Sequence, residues 1–144
     1  MIPGTRGNID HIFIAPTGVW VVDAKAYNGK IERREHGPIW RRENEVFIGG
    51  RNRTKLEQGV VKQVEAINAA LAPDSELKGV SVYAALCFLD VDWGLFDSSF
   101  SIGSVWVAHP KALKKALKKN GPLSREKMER AARRLDLSLP RAAD

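Results

Sequence analysis

The chain is written in two hydrophobic periods. Ile9-Asp10-His11-Ile12-Phe13-Ile14-Ala15 and Gly18-Val19-Trp20-Val21-Val22-Asp23-Ala24-Lys25 are dense in branched and aromatic residues with a period of two, the pattern of β-strands. Pro16-Thr17-Gly18 is a short turn, so the two runs predict an antiparallel hairpin. Residues 1–8 form a polar lead containing Pro and Gly. Asn28-Gly29 predicts a turn, residues 30–35 a more exposed strand, His36-Gly37-Pro38 another turn, and residues 39–42 and 45–48 a further strand region closed by Gly49-Gly50. Together these predict an antiparallel meander.

From position 53 to 72 the period lengthens. Leu56, Val60, Val64, Ile67 and Leu71 recur at helical spacing with Lys55, Glu57, Lys62 and Glu65 between them, so an amphipathic helix should pack on the sheet until Pro73-Asp74 ends it. Residues 79–89 are almost continuously apolar and predict a strand buried on both faces. A loop over 90–101, a strand over 102–108 and a basic helix over 111–119 follow, stopped by Asn120-Gly121-Pro122. Ser124 is a suitable N-cap for a last helix over 125–135.

Alternation gives the first two strands a chemical character. Val19, Val21, Asp23 and Lys25 share one face, and Asp10, Ile12 and Ile14 share one face of the preceding run. Charges thus continue apolar stripes, which costs several kcal/mol unless a partner or metal compensates. In a hairpin the two carboxylates and the lysine converge at one end of the sheet. Two carboxylates there suit a hard divalent cation held against a phosphate, and Lys25 would orient attacking water and offset developing charge. A structural ion pair between Asp23 and Lys25 is the plainer reading of the same residues.

Composition narrows the partner. The chain has 144 residues and a formal net charge of +6, the size of one domain (1–144) and a balance that favours a polyanion such as nucleic acid. Cys87 is the single cysteine, expected to be buried, reduced and inert, as in a cytoplasmic protein without a disulfide framework. The first residues lack the apolar core of a signal peptide and no apolar run is long enough to cross a bilayer, so no membrane partner is expected. His11, His36 and His109 form no zinc-like cluster with Cys87, and Gly49-Gly50-Arg51-Asn52-Arg53 lacks the spacing of a phosphate loop.

Gly7-Asn8-Ile9-Asp10-His11-Ile12, then Thr17-Gly18-Val19-Trp20-Val21-Val22-Asp23-Ala24-Lys25 and Asn28-Gly29, closely resemble the nuclease-related domain family of the restriction-endonuclease-like superfamily, whose signature is Asp followed by Asp/Glu-x-Lys. The resemblance implies an α/β (α+β) fold: a mixed central β-sheet flanked by helices, here with a C-terminal helical hairpin as an extension over 111–144. It implies a nuclease using Mg2+ (or Mn2+) to hydrolyse DNA phosphodiester bonds. Carried over, Asp10 and Asp23 are the metal carboxylates, the Ala24 backbone carbonyl joins the metal shell, Lys25 is the catalytic lysine, and Gln63 matches a glutamine common in the following helix. The chain departs from the family in one respect: an acidic helix usually precedes the first strand, and there is no room for it before Asn8. A truncated start, an incomplete site, or substitution by Glu32 or a second subunit would each account for this. An alternative reading is a non-catalytic nucleic-acid-binding or protein-interaction module on the same fold.

Basic residues fall into two groups. Arg33, Arg34, Arg41, Arg42, Arg51, Arg53 and Lys55 are expected to line a groove leading to Asp23 and to contact phosphates of DNA or another nucleic acid. Lys111, Lys114, Lys115, Lys118, Lys119, Arg130, Arg133 and Arg134 belong to the C-terminal helices, which outline a helix-turn-helix but read more simply as an amphipathic hairpin with a solvated face. Val91, Trp93, Leu95, Phe96 and Phe100 either form a homodimer surface or fold back over the core.

Overall fold

A computed structural model describes residues 2–6, 9–94 and 99–139, with residues 2–6, 9 and 10 described by their backbone alone. Strands β1 (Ile2–Arg6), β2 (Ile9–Ala15), β3 (Gly18–His36), β4 (Glu43–Ile48), β5 (Arg51–Asn52), β6 (Val82–Asp92), β7 (Phe100–Ile102) and β8 (Val105–Ala108) make one 8-stranded sheet. Its main path runs β1-β2-β3-β6-β8-β7, with β4 on the outer half of β3 and β5 on β4. Helices α1 (Leu56–Leu71), α2 (Pro110–Leu117) and α3 (Arg125–Ser138) complete the chain. This is the mixed sheet flanked by helices that the sequence implies.

The β2–β3 hairpin closes at Ala15↔Gly18, and the Trp20 indole N–H donates to the Thr17 hydroxyl at 2.9 Å across that corner. β3 and β6 are parallel, which requires a crossover, and α1 supplies it. Alternation then builds two cores. Ile12, Ile14, Val19, Val21, Leu86 and Phe88 on one face meet Val60, Ile67 and Leu71 of α1 and Ala131 and Leu135 of α3. Trp20, Val22, Ala85 and Cys87 on the other meet Leu113 and Leu117 of α2. The two C-terminal helices therefore clasp the sheet from opposite sides and do not pack together as a hairpin. The chain passes between them at Gly121, where a Cβ would lie 2.4 Å from the Pro16 carbonyl oxygen.

Several local expectations are revised. Residues 2–6 are not a bare lead but edge strand β1, where Pro3 is tolerated because an edge need not donate to a second neighbour. Asn28-Gly29 does not reverse the chain: β3 runs through it to His36, with a register shift against β6 between Ala26 and Gly29. Gly29 is needed for close approach, since a Cβ there would lie 2.8 Å from the Gly49 Cα. Residues 39–41 form an exposed 3-10 turn in place of a strand. Strand β6 runs on to Asp92, and residues 100–108 split into the β7–β8 hairpin. Of the apolar loop, Val91, Trp93 and Phe100 pack on the larger core, whereas Leu95 and Phe96 lie outside the described residues. No described helix is long and apolar enough to cross a membrane.

Candidate active site

β3 is flanked by β2 and β6, so its register, fixed by Val19 and Val21 in the core, carries the residues that follow onto the same face. Asp23 is 7% exposed and is the one buried polar or charged residue among the described residues. Lys25 follows on that face; its Nζ lies 3.4 Å from Asp23 Oδ1, with the lysine side chain 38% exposed. Tyr27 is next and packs against the α1-side core. The ion pair foreseen as the plainer reading is therefore formed, and the lysine still reaches solvent.

The β2–β3 ladder runs to His11↔Val22. One register step beyond it stand Asp10 and Asp23. The side chain of Asp10 lies outside the described residues. The backbone N–H of Val19 donates to the Ser81 carbonyl on the β6 side at 2.9 Å. By alternation, Trp20, Val22 and Ala24 direct their backbone groups toward β2. The Ala24 carbonyl thus leaves β3 just past the last pair, on the side where Asp10 stands.

Hard divalent cations take carboxylate and carbonyl oxygens and keep several waters. A buried carboxylate and a carbonyl at the end of a ladder offer oxygens of that kind. Among the described side chains, no cluster of three or more His, Cys, Asp or Glu residues could hold a metal ion; Asp10 is not among those side chains. Gln63 lies on α1 between the buried Val60 and Ile67, half-buried, with its side-chain oxygen closed off from solvent.

The basic residues expected to line one groove are spread apart. Arg33 and Arg34 occupy opposite faces of the β3–β4 arm, and each has a glutamate partner: Arg33 with Glu35 at 3.8 Å, Arg34 with Glu32 at 3.6 Å. Glu32 is thus engaged on the arm. Arg34 also stacks over Phe47, 3.8 Å from the ring centre. Arg42 reaches Glu35 at 3.4 Å. Arg41, Arg51 and Lys55 are exposed at the arm tip, in β5 and before α1. Arg53 is half-buried and lies 4.4 Å from the centre of the Tyr27 ring. Tyr27 was not singled out from the sequence, although its position two residues after Lys25 was a sufficient signal.

The basic residues of α3 are used structurally. Arg130 forms a two-pronged pair with Asp74 at 2.8 and 3.0 Å, Arg134 donates to the Ala70 carbonyl at 2.8 Å and Lys127 to the Glu76 carbonyl at 3.0 Å. They tie α3 to the end of α1, and with α2 on the other face the helix-turn-helix outline is not realised. His11 is exposed, 6.2 Å from the Phe13 ring. Cys87 is buried as a free thiol, and burial pushes its pKa up, which favours the unreactive protonated form.

A family model described as nuclease-related domain matches residues 1–89, which takes in β1 to β5, α1 and most of β6. Neither the curated proteins nor the solved structures give a match. With the match covering more than half of the chain and including Asp10, Asp23, Lys25 and Gln63, the protein belongs to the nuclease-related domain family, whose general context is the restriction-endonuclease-like superfamily.

Proposed function

We propose that the protein is a Mg2+- or Mn2+-dependent nuclease that hydrolyses DNA phosphodiester bonds at the Asp23–Lys25 end of the hairpin. The observation that carries this reading is the burial of a single carboxylate at the place where β3 loses its β2 neighbour, with a solvent-reaching lysine beside it. A carboxylate so placed contributes nothing to packing, and a fold retains one there at a cost in stability when it has work to do.

Asp10, Asp23 and the Ala24 carbonyl would hold the cation. When bound, it would supply a more acidic water and neutralise charge on the phosphate. Asp23 holds Lys25 by the 3.4 Å ion pair, which aims the ammonium along the face. From there Nζ orients the attacking water and stabilises the negative charge that builds on the phosphate oxygens. Gln63 offers an amide that both donates and accepts, suited to holding a water in line. Exposed arginines of the arm and the approach to α1 would contact the nucleic acid backbone.

The test is cleavage of labelled DNA under Mg2+ and Mn2+ by the wild-type chain and by Lys25→Ala and Asp23→Asn. Loss of one general acid–base or charge-stabilising group costs about 10²–10⁴ in rate, so both variants should fall by at least about a hundredfold while keeping the fold. Wild-type-like cleavage by pure, folded Asp23→Asn would sink the assignment. Salt-sensitive DNA binding without cleavage under any divalent metal would instead favour the non-catalytic binding module.

A further inference from the structure

Among the described residues, Arg53 is a cation without a counter-ion. It makes no ion pair and its side chain makes no hydrogen bond among the described residues, and its Nε is closed off from solvent with no acceptor. Its guanidinium lies over the Tyr27 ring, 4.4 Å from the ring centre. A ring face attracts a guanidinium but accepts none of its hydrogen bonds, so the donors of the outer edge remain to be used. The arginines of the β3–β4 arm differ: Arg33, Arg34 and Arg42 are each answered by a glutamate.

The position is also rigid. The Arg53 N–H donates to the Val46 carbonyl at 2.8 Å and its carbonyl accepts from Leu56 N–H at 3.1 Å. Thr54 braces the same corner: its N–H donates to Asn52 Oδ1 at 2.9 Å, and its hydroxyl accepts from Val46 N–H at 3.0 Å. Tyr27 is held from the other side by Phe88, with ring centres 5.9 Å apart, and Phe88 is the β6 residue in register with Lys25. Arg53 is thus mounted on the ring that follows Lys25 on the same face, about 7 Å further along β3 by strand rise.

We propose that Arg53 is a preset phosphate-binding group beside the Asp23–Lys25 pair, gripping a backbone phosphate that neighbours the bond to be cut. This rests on reading the site as a nucleic-acid site. The planar fork of a guanidinium matches two phosphate oxygens, and stacking on Tyr27 sets the plane of that fork in advance. Arg53 would fix where the strand lies relative to Lys25; it is a positioning residue.

The experiment measures binding of labelled single-stranded and duplex DNA by fluorescence anisotropy across a KCl series in EDTA, so that binding is read without cleavage. Wild type is compared with Arg53→Gln and Arg53→Lys. One lost phosphate contact lowers the slope of log K against log salt by about 0.7 for a single strand or about 0.9 for a duplex. Arg53→Gln should show that drop together with weaker low-salt binding, while Arg53→Lys should keep the slope and lose part of the affinity. A purely structural role would weaken binding without moving the slope. Binding by the wild type with an unchanged Arg53→Gln slope overturns this proposal and leaves the nuclease reading standing; no binding by the wild type at low salt overturns this proposal too, and cleavage under Mg2+ or Mn2+ then decides the nuclease reading separately.

Discussion

Two faces of one strand make opposite use of the same alternation. On the α2 side, Trp20 and Val22 meet Ala85, Cys87, Leu113 and Leu117; Trp20 lies 4.7 Å from Tyr83 and 6.0 Å from Trp106 by ring centres. That face is closed by apolar side chains. On the α1 side, Val19 and Val21 begin a larger core, but the next positions are Asp23, Lys25 and Tyr27, with Arg53 above. The strand spends one face on packing and lets the other turn polar where β2 stops pairing with it. Burial alone does not distinguish Val22 from Asp23, at 2% and 7% exposed; what distinguishes them is the chemistry each face can accept.

The sharpest test of the contrast exchanges charges between the faces. Val22→Asp puts a carboxylate into an apolar layer with no cation, and should cost about 4 kcal/mol or more, unfolding much of the protein. Asp23→Asn removes a buried charge at constant shape while Lys25 stays partly solvated, and should change stability by no more than about 1 kcal/mol. Urea denaturation followed by circular dichroism measures both. Equal destabilisation by the two substitutions would mean that Asp23 is a structural charge and would remove the argument for a site.

A smaller effect tests whether the α2 face is packing only. Leu113 is 7% exposed and lies in the smaller core. Leu113→Ala should lose about 2–4 kcal/mol through transfer and cavity terms, and DNA cleavage per folded molecule at low temperature should stay at the wild-type rate. A selective loss of activity with stability intact would show that α2 reaches the chemistry and that the faces are not separate.

The larger periodic features were legible in the sequence because each carries its own local signal. The β2–β3 hairpin, α1 and its apolar stripe, and the α3 N-cap, where Ser124 Oγ accepts from Lys127 N–H at 3.2 Å, follow from pattern and capping chemistry. Glycine was the main source of error. At Asn28-Gly29 it marks close passage of the chain at Gly49, and nothing local separates that from a turn; β3 reverses only later, between His36 and its partner Glu43, where Gly37 takes a φ of 98°. The placement of α2 and α3 on opposite faces was equally illegible, because two short amphipathic helices with apolar stripes say what they bury and not where. At the site, Asp23 and Lys25 were visible as charges continuing an apolar stripe. The stacking of Arg53 on Tyr27 joins residues far apart in sequence, and only the tertiary fold brings them together.

The smallest expected effect lies at the edge of the α1 face, where α3 is fastened. The Arg130 guanidinium hydrogen-bonds Asp74 and holds its carboxyl below the ordinary value of 3.8; burial opposes this and the Glu76 backbone N–H assists it. Because the folded value is depressed, the stability this group contributes is present above the unfolded pKa and is lost as pH falls through the lowered folded pKa. Asp74→Asn keeps a side-chain oxygen able to accept from Glu76 N–H, which now donates to Asp74 Oδ1 at 3.0 Å, and removes the charge together with one of the two acceptors that Arg130 uses. The Tm of wild type should therefore exceed that of Asp74→Asn by a few degrees at most at pH 5–7, the range of a partly exposed ion pair. The gap should close on acidification below the ordinary carboxylate pKa. A gap that persists unchanged at acid pH would assign the fastening of α3 to hydrogen-bond geometry, with the charge contributing nothing.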